Sequence, residues 1–267
     1  MFTINDFIQV FIYLLVLSVL APFMGSAFYK VLTAEKHFLT PIFGWLEKLI
    51  YKGLGKQATE TMDWKKYLFA LLSFNIVGIL VVLAIQLLQG YLPLNPQNLN
   101  GVEPILAFNT AVSFVTNTNW QSYAGEVTLS YFTQMFGLTV QNFLSASTGI
   151  AVLLVLARGF RNKQSSNLGN FWQDITKSTL YILLPLSILF AVVLAGEGVV
   201  QTFNGYQSIS TLSSGEQTVP LGPAASQIAI KQLGTNGGGF FNTNSAFPLE
   251  NPTPFSNFLQ MLALLLI

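Results

Sequence analysis

The strongest constraint on this chain is a short segment that occurs twice at a fixed spacing. Pro104-ILAFNTAVSFV runs into Thr116-NTNWQ, and Pro223-AASQIAIKQLG runs into Thr235-NGGGF. Pro104 and Pro223 are 119 residues apart, as are Thr116 and Thr235, and Asn117 and Asn236. Each stretch from proline to turn has 12 residues. As a helix that is about 18 Å, half of a bilayer and no more. Proline suits the first turn of a helix, where its missing N–H costs nothing.

The surroundings are a membrane protein's. The chain is 52% hydrophobic and only 9% charged, with a mean hydropathy of +0.54, whereas soluble domains are about a quarter charged. It has no Cys and a single His, His37, which excludes disulfides, thiol chemistry and multi-histidine metal sites. Crossing a bilayer takes about 20 apolar residues. Phe7–Tyr29, Tyr67–Gln89 and Ile175–Ala195 qualify. Val127–Ala157 is long for one crossing and should be tilted, bent or extended past the membrane. Phe255–Ile267 opens a further span that stops after 13 residues, which suggests a truncated chain. Phe7–Phe28 lacks a signal-peptide exit and reads as a retained span.

Of the 12 Lys and Arg, seven lie between Lys30 and Lys66, four between Arg158 and Lys177, and none in Gly90–Glu126 or Gly196–Ile230. The positive-inside rule puts the first two regions in the cytoplasm, so both repeated segments enter from the outer face. Non-helical backbone at membrane depth must be buried in protein or line a polar cavity. The expected fold is therefore an all-α polytopic membrane protein. An extra first helix and loop (1–66) precede a first unit (67–160; pore helix 104–115, filter 116–121) and a second (161–267; pore helix 223–234, filter 235–240). Asp63-WKKYLFALL resembles Asp174-ITKSTLYILL at an offset of 111, extending the repeat upstream. Two units supply only half of a four-walled filter.

Both polar turns follow helix C-termini, where the macrodipole is negative, which favours a cation. Thr116, Asn117, Thr118, Asn119, Thr235 and Asn236 offer hydroxyl, amide and backbone oxygens, and Gly237, Gly238 and Gly239 free the backbone. No carboxylate falls inside either turn; Glu103, Glu126 and Glu250 lie outside. Calcium and magnesium recruit carboxylates, whereas neutral carbonyls suit potassium.

These strings, Phe114-VTNTNWQSY and Ile230-KQLGTNGGGFFN, with Glu250-NPTP, closely resemble the potassium-binding subunit of the Kdp potassium-transporting ATPase. That family belongs to a superfamily of potassium transporters with four span–pore–span units and an extra first helix; this chain matches the N-terminal half. The resemblance implies a non-catalytic subunit of a bacterial or archaeal plasma membrane, its filters on the outer face. It places filter residues on Asn117, Thr118, Thr235, Asn236 and Gly237, with Gln121 beside them; with the neighbouring turn residues Thr116, Asn119, Gly238 and Gly239 these form the expected K+ site, from which the ion would pass to a P-type ATPase partner assembled with small accessory subunits. Gln121 would sit at the entrance side of the first filter, so that its substitution is mild. ATP would be used by the partner, and this chain has neither D-K-T-G nor G-x-x-x-x-G-K-[ST]. No cofactor besides K+ and no nucleic-acid partner are expected. The alternatives are a stand-alone channel-like transporter of the same superfamily and a non-transporting scaffold.

Other polar residues are readable. Gln134, Gln141 and Asn142 either line a polar cavity or hydrogen-bond between helices. Ser145–Gly149 is a small-residue patch suited to close helix packing. Lys231, one turn before the second filter, should face a carboxylate or the helix C-terminal carbonyls. Lys48, Lys52 and Lys56 flank an interfacial amphipathic helix or a docking surface, and His37 belongs to an ordinary cytoplasmic loop.

Overall fold

The computed structural model describes residues 3–33, 37–161, 167–212 and 215–267. Four helical stretches are long and apolar enough to cross a membrane: Ile4–Leu32, Trp64–Tyr91, Thr133–Arg161 and Phe171–Gly196. Large apolar side chains stand exposed along them, among them Phe7, Phe69, Leu153 and Val192, as a lipid-facing surface requires. The chain is a multi-pass membrane protein.

Helix α1 (Ile4–Leu32) lies along the outside, and Tyr13 donates to Met261 O at 2.9 Å. Helix α2 (Thr40–Leu54) packs Phe43, Leu46 and Ile50 inward and leaves Ile42, Trp45, Leu49, Lys48 and Lys52 exposed. Its outward face is thus amphipathic, as its sequence suggests. His37 packs edge-on against the Tyr181 ring, centroids 4.6 Å apart. Helix α3 (Trp64–Leu88) begins at Asp63, whose carboxylate accepts from Lys66 N at 2.9 Å.

Helix α4 (Pro104–Val115) is the first short helix, with the expected bounds. Glu103 caps it, accepting from Leu106 N at 2.8 Å, and Pro104 takes the first position. The long third span is interrupted. A single turn, α5 (Gly125–Thr128), ends at extended Leu129; a π-helical stretch, Thr133–Thr139, then leads into α6 (Val140–Arg161). The Thr139 hydroxyl donates to Gln134 O at 2.8 Å, five residues back, which is the spacing of the widened helix.

The fourth span is α7 (Phe171–Lys177), a π stretch Ser178–Leu183, and α8 (Leu184–Gly196). Pro185 cannot donate to Tyr181 O and its ring crowds that turn, and the wider π turn just before it accommodates the loss. The repeat between Asp63 and Asp174 does not extend to a shared role. Asn170 caps α7, accepting from Gln173 N at 3.1 Å. Asp174 instead takes both Arg158 amino groups, at 2.5 and 2.8 Å, and the Tyr67 hydroxyl at 2.9 Å. One carboxylate thereby joins the ends of α3, α6 and α7.

Two features depart from the expected picture. The loop after α8 holds an antiparallel hairpin, β1 (Gln207–Ser210) with β2 (Glu216–Val219), pairing Gln207 with Val219 and Ser210 with Glu216. The second short helix, α9 (Ala224–Leu233), starts one residue late and ends one early. Pro223 is its cap rather than its first residue. Its leading amides are satisfied from outside: Val200 O accepts from Ala224 N and Ala225 N at 3.1 and 2.9 Å, and the Gln201 side chain accepts from Ser226 N at 3.0 Å. Helix α10 (Pro254–Leu266) closes the chain.

Changing Asp174 to Asn strands the partly buried Arg158 guanidinium and should cost about 2–3 kcal/mol, less than for a fully buried pair. Tyr67→Phe removes one hydrogen bond and should cost about 1 kcal/mol. Thermal unfolding of the detergent-solubilised protein reads both.

Candidate functional site

Helices α4 and α9 end in the same way. Asn117 N bonds to Phe114 O and Thr118 N to Ser113 O, at 3.4 and 3.0 Å. Thr235 N bonds to Gln232 O and Asn236 N to Lys231 O, at 3.2 and 3.0 Å. Each is a Schellman closure, with the residue after the cap in the left-handed region. Asn117 has φ 61° and Thr235 has φ 56°. The backbones therefore correspond at an offset of 118, which sets Thr118 against Asn236 and Asn119 against Gly237. The Thr-Asn letters, 119 apart, do not mark equivalent positions.

A second left-handed residue follows two positions later in each turn: Asn119 at φ 55° and Gly237 at φ 92°. Asparagine and glycine tolerate this region; Thr235, being β-branched, is strained there. That strain persists because the turns hold each other. Asn117 Nδ2 donates to Gly234 O at 3.4 Å, and Asn236 Nδ2 donates to Asn117 Oδ1. Gln121 pairs with the backbone of Gly239, donating to its O at 3.1 Å and accepting from its N at 2.9 Å. Gly238 lies against the Phe114 ring and Asn119.

The ten sequence-predicted site residues are thus brought together, but they divide into two sets. Thr116, Thr118, Thr235 and Gly237 are exposed. The Thr116 and Thr118 hydroxyls are 2.9 Å apart. Asn119, Asn236, Gly238 and Gly239 are buried, and Asn117 and Gln121 partly so. The asparagine amides face protein: Ser145 Oγ donates to Asn117 Oδ1 at 2.8 Å, and Asn119 Nδ2 donates to Asn142 Oδ1 at 2.5 Å. Gln121, expected at the entrance side of the first filter, clamps the second turn through the backbone of Gly239. Gln134 also braces that turn, donating to Phe240 O at 2.9 Å and accepting from Gln227 at 3.1 Å.

Three residues were not singled out as parts of this site in the sequence. Gly234 caps α9 where a Cβ would stand 2.2 Å from Asn236 Oδ1 and 3.1 Å from Asn142 O. Glu250 pairs with Lys231 at 2.6 Å, both side chains almost wholly buried, and accepts from Phe241 N at 2.8 Å. Glu126 accepts from Asn242 N at 2.9 Å. Of the two partners expected for Lys231, a carboxylate or the helix C-terminal carbonyls, the carboxylate is the one found. Gly234 carried a weak signal, a glycine just before the repeated Thr-Asn. The carboxylates that return to the second turn hold its exit rather than entering it. Among the described residues no three His, Cys, Asp or Glu gather as a metal-binding group.

This arrangement defines a class: a polytopic membrane protein whose two short helices end in closed, oxygen-bearing turns braced against each other. The family model described as Potassium-transporting ATPase A subunit matches residues 11–267, and the chain belongs to that family. Proteins named "Potassium-transporting ATPase potassium-binding subunit" are similar along nearly the whole chain. That of Pseudomonas putida is 55% identical over 262 residues, 98% of this chain and 46% of the relative. That of Sorangium cellulosum is 55% identical over 274 residues, 99% and 47%. That of Clostridium botulinum is 54% identical over 272 residues, 98% and 47%. The chain spans about half the length of the curated relatives it matches.

Glu250→Gln keeps an acceptor for Phe241 N but leaves Lys231 charged and buried, and should cost about 3–5 kcal/mol. Adding Lys231→Met should recover most of that loss in a double-mutant cycle of thermal unfolding. Gly239→Ala should block folding of the turn, since its Cβ would lie 2.8 Å from Asn244 Cα. Gly237→Ala meets no neighbour within 4 Å and should cost only the left-handed strain, about 1–2 kcal/mol. Yields of folded protein from membranes separate the two glycines.

Proposed function

We propose that the full-length protein carrying this chain is the potassium-binding subunit of an ATP-driven importer. The paired turns open on the outer face of a bacterial plasma membrane and select K+. The ion then passes to a P-type ATPase partner, which hydrolyses ATP; small accessory subunits complete the complex. The names of the relatives support the substrate and the partner.

The observation that carries this reading is that two helix C-termini present exposed neutral oxygens side by side, with no free carboxylate between them. The negative ends of α4 and α9 attract a cation. The Schellman closures occupy the carbonyls of Ser113, Phe114, Lys231 and Gln232, so the oxygens left to an ion are those of the turns themselves: Thr116, Thr118, Thr235 and the backbone through Gly237. Alternating left-handed and ordinary residues turn successive peptide planes, which suits a row of carbonyls facing one ion. Neutral oxygens replace the hydration shell of a monovalent ion; a dehydrated divalent ion would want carboxylates. Glu250 neutralises Lys231, so that the ammonium does not repel the ion. The remaining walls of the path come from further units of the full-length protein.

Gly237→Ser restricts a backbone that needs φ 92° and adds a side chain at the ion's own level. It should raise the half-saturating K+ concentration for uptake by about tenfold, a change of roughly 1.4 kcal/mol. Uptake is measured in cells whose other potassium systems are deleted, with and without the ATPase partner. Unchanged uptake at limiting K+ argues against the filter. Accumulation against the gradient without the partner argues against the ATPase.

A further inference from the structure

One turn of α6 touches both polar turns. Asn142 and Ser145 are three residues apart and share a helix face. Ser145 Oγ donates to Asn117 Oδ1 at 2.8 Å and accepts from Asn236 Nδ2 at 3.1 Å. Asn236 Nδ2 also reaches Asn117 Oδ1, so that one hydroxyl and two amides, one from each turn, close a triangle. Asn142 Oδ1 takes Asn119 Nδ2 at 2.5 Å, and the Asn142 carbonyl lies where a Cβ on Gly234 would come within 3.1 Å. Ser145 and Asn142 are buried, at 2% and 0% exposure. Neither reaches the exposed oxygens. Both grip the asparagines that occupy or flank the left-handed positions of the turns.

We propose that Asn142 and Ser145 are positioning residues that fix the spacing of the two turns and so set the size of monovalent cation the site accepts. The inference rests on the reading of the turns as a potassium filter. A filter built from flexible backbone distinguishes K+ from Rb+, NH4+ or Na+ only as far as its oxygens are held at one separation. Nothing covalent holds this one; the turns are 118 residues apart in sequence and meet through side chains. Asn119 Oδ1, Asn142 Nδ2 and Asn236 Oδ1 are buried without a hydrogen-bond partner. The asparagines thus enter the brace through only part of their bonding capacity, so each bond that Ser145 and Asn142 make to them carries weight. Removing the Ser145 hydroxyl deletes two of the bonds that hold Asn117 against Asn236, leaving their mutual contact and Asn117 Nδ2 on Gly234 O at this end of the turns, so the spacing between the turns loosens.

The test uses the full-length subunit in its assembled transporter. Uptake of K+ and Rb+ is compared for the unaltered protein, Ser145→Ala, Ser145→Thr, Ser145→Cys and Asn142→Leu, with each variant's amount in the membrane measured. Ser145→Ala and Asn142→Leu should change the ratio of KM for Rb+ to KM for K+ by about three- to tenfold, the equivalent of one lost hydrogen bond, with kcat much less affected. Ser145→Thr keeps the hydroxyl and should preserve the ratio. Should Ser145→Ala fail to accumulate, Ser145→Cys, close in size but a weak donor, reads the same contact and should shift the ratio in the same sense. A fall in kcat or abundance with the ratio unchanged overturns the proposal. Failure of the unaltered transporter to take up K+ overturns instead the filter reading on which it rests.

Discussion

Two segments of this chain leave helical geometry at short helix ends, and most of the polar groups that this releases are satisfied by the residues around them. In a membrane there is no water at depth to do so. The Schellman closures of α4 and α9 take the first share. The side chains of Asn117, Asn236, Gln121 and Ser145 take the next, by joining the two turns. Glu126 and Glu250 take the amides of Asn242 and Phe241. Toward the outside, what remains open is a small exposed set of threonine and backbone oxygens at the negative ends of two helices.

The interrupted spans follow from the same demand. The stretch between the first turn and α6 breaks at Leu129, and its π segment carries Thr133 and Gln134, which bind Gln89 Oε1 and Phe240 O. A wider helical turn redirects side chains relative to a regular helix, and here Gln134 meets both Gln227 and the end of the second turn. On the far side, the Asp174, Arg158 and Tyr67 cluster ties the opposite ends of the same helices together, so both ends of α6 are anchored by polar contacts while its flanks face lipid.

Much of this was legible in the sequence. Spans follow from runs of apolar residues, and α4 from Pro104 at its start. Lys231 was expected to face a carboxylate or the helix C-terminal carbonyls, because an ammonium turned into the pore would oppose a cation; Glu250 is the partner it takes. The register of the two turns was not legible. Identical letters align Thr116 with Thr235, whereas the hydrogen bonds align Thr116 with Gly234, because α9 ends at a glycine whose missing Cβ makes room for Asn236 and the Asn142 carbonyl. Nor was the division of labour within Thr-Asn-Thr-Asn. Both side chains carry oxygen, and only the packing of α6 reveals that asparagines turn toward protein and threonines away from it. The hairpin Gln207–Val219 was hidden because four-residue exposed strands leave little hydrophobic pattern. The π segments were hidden because no residue type marks them beyond Pro185 in one case.

In the proposed filter, ion contact falls to the threonine and backbone oxygens while the asparagine amides hold the frame. Anomalous scattering from Rb+ or Tl+ bound to the full-length protein tests it most directly. A peak is expected between the two turns, within coordination distance of oxygens in Thr116–Thr118 and Thr235–Gly237, with the Asn117–Ser145–Asn236 triangle intact. A peak coordinated by the side-chain amides of Asn117 and Asn236, or one beside Glu126 or Glu250 with none between the turns, would contradict it.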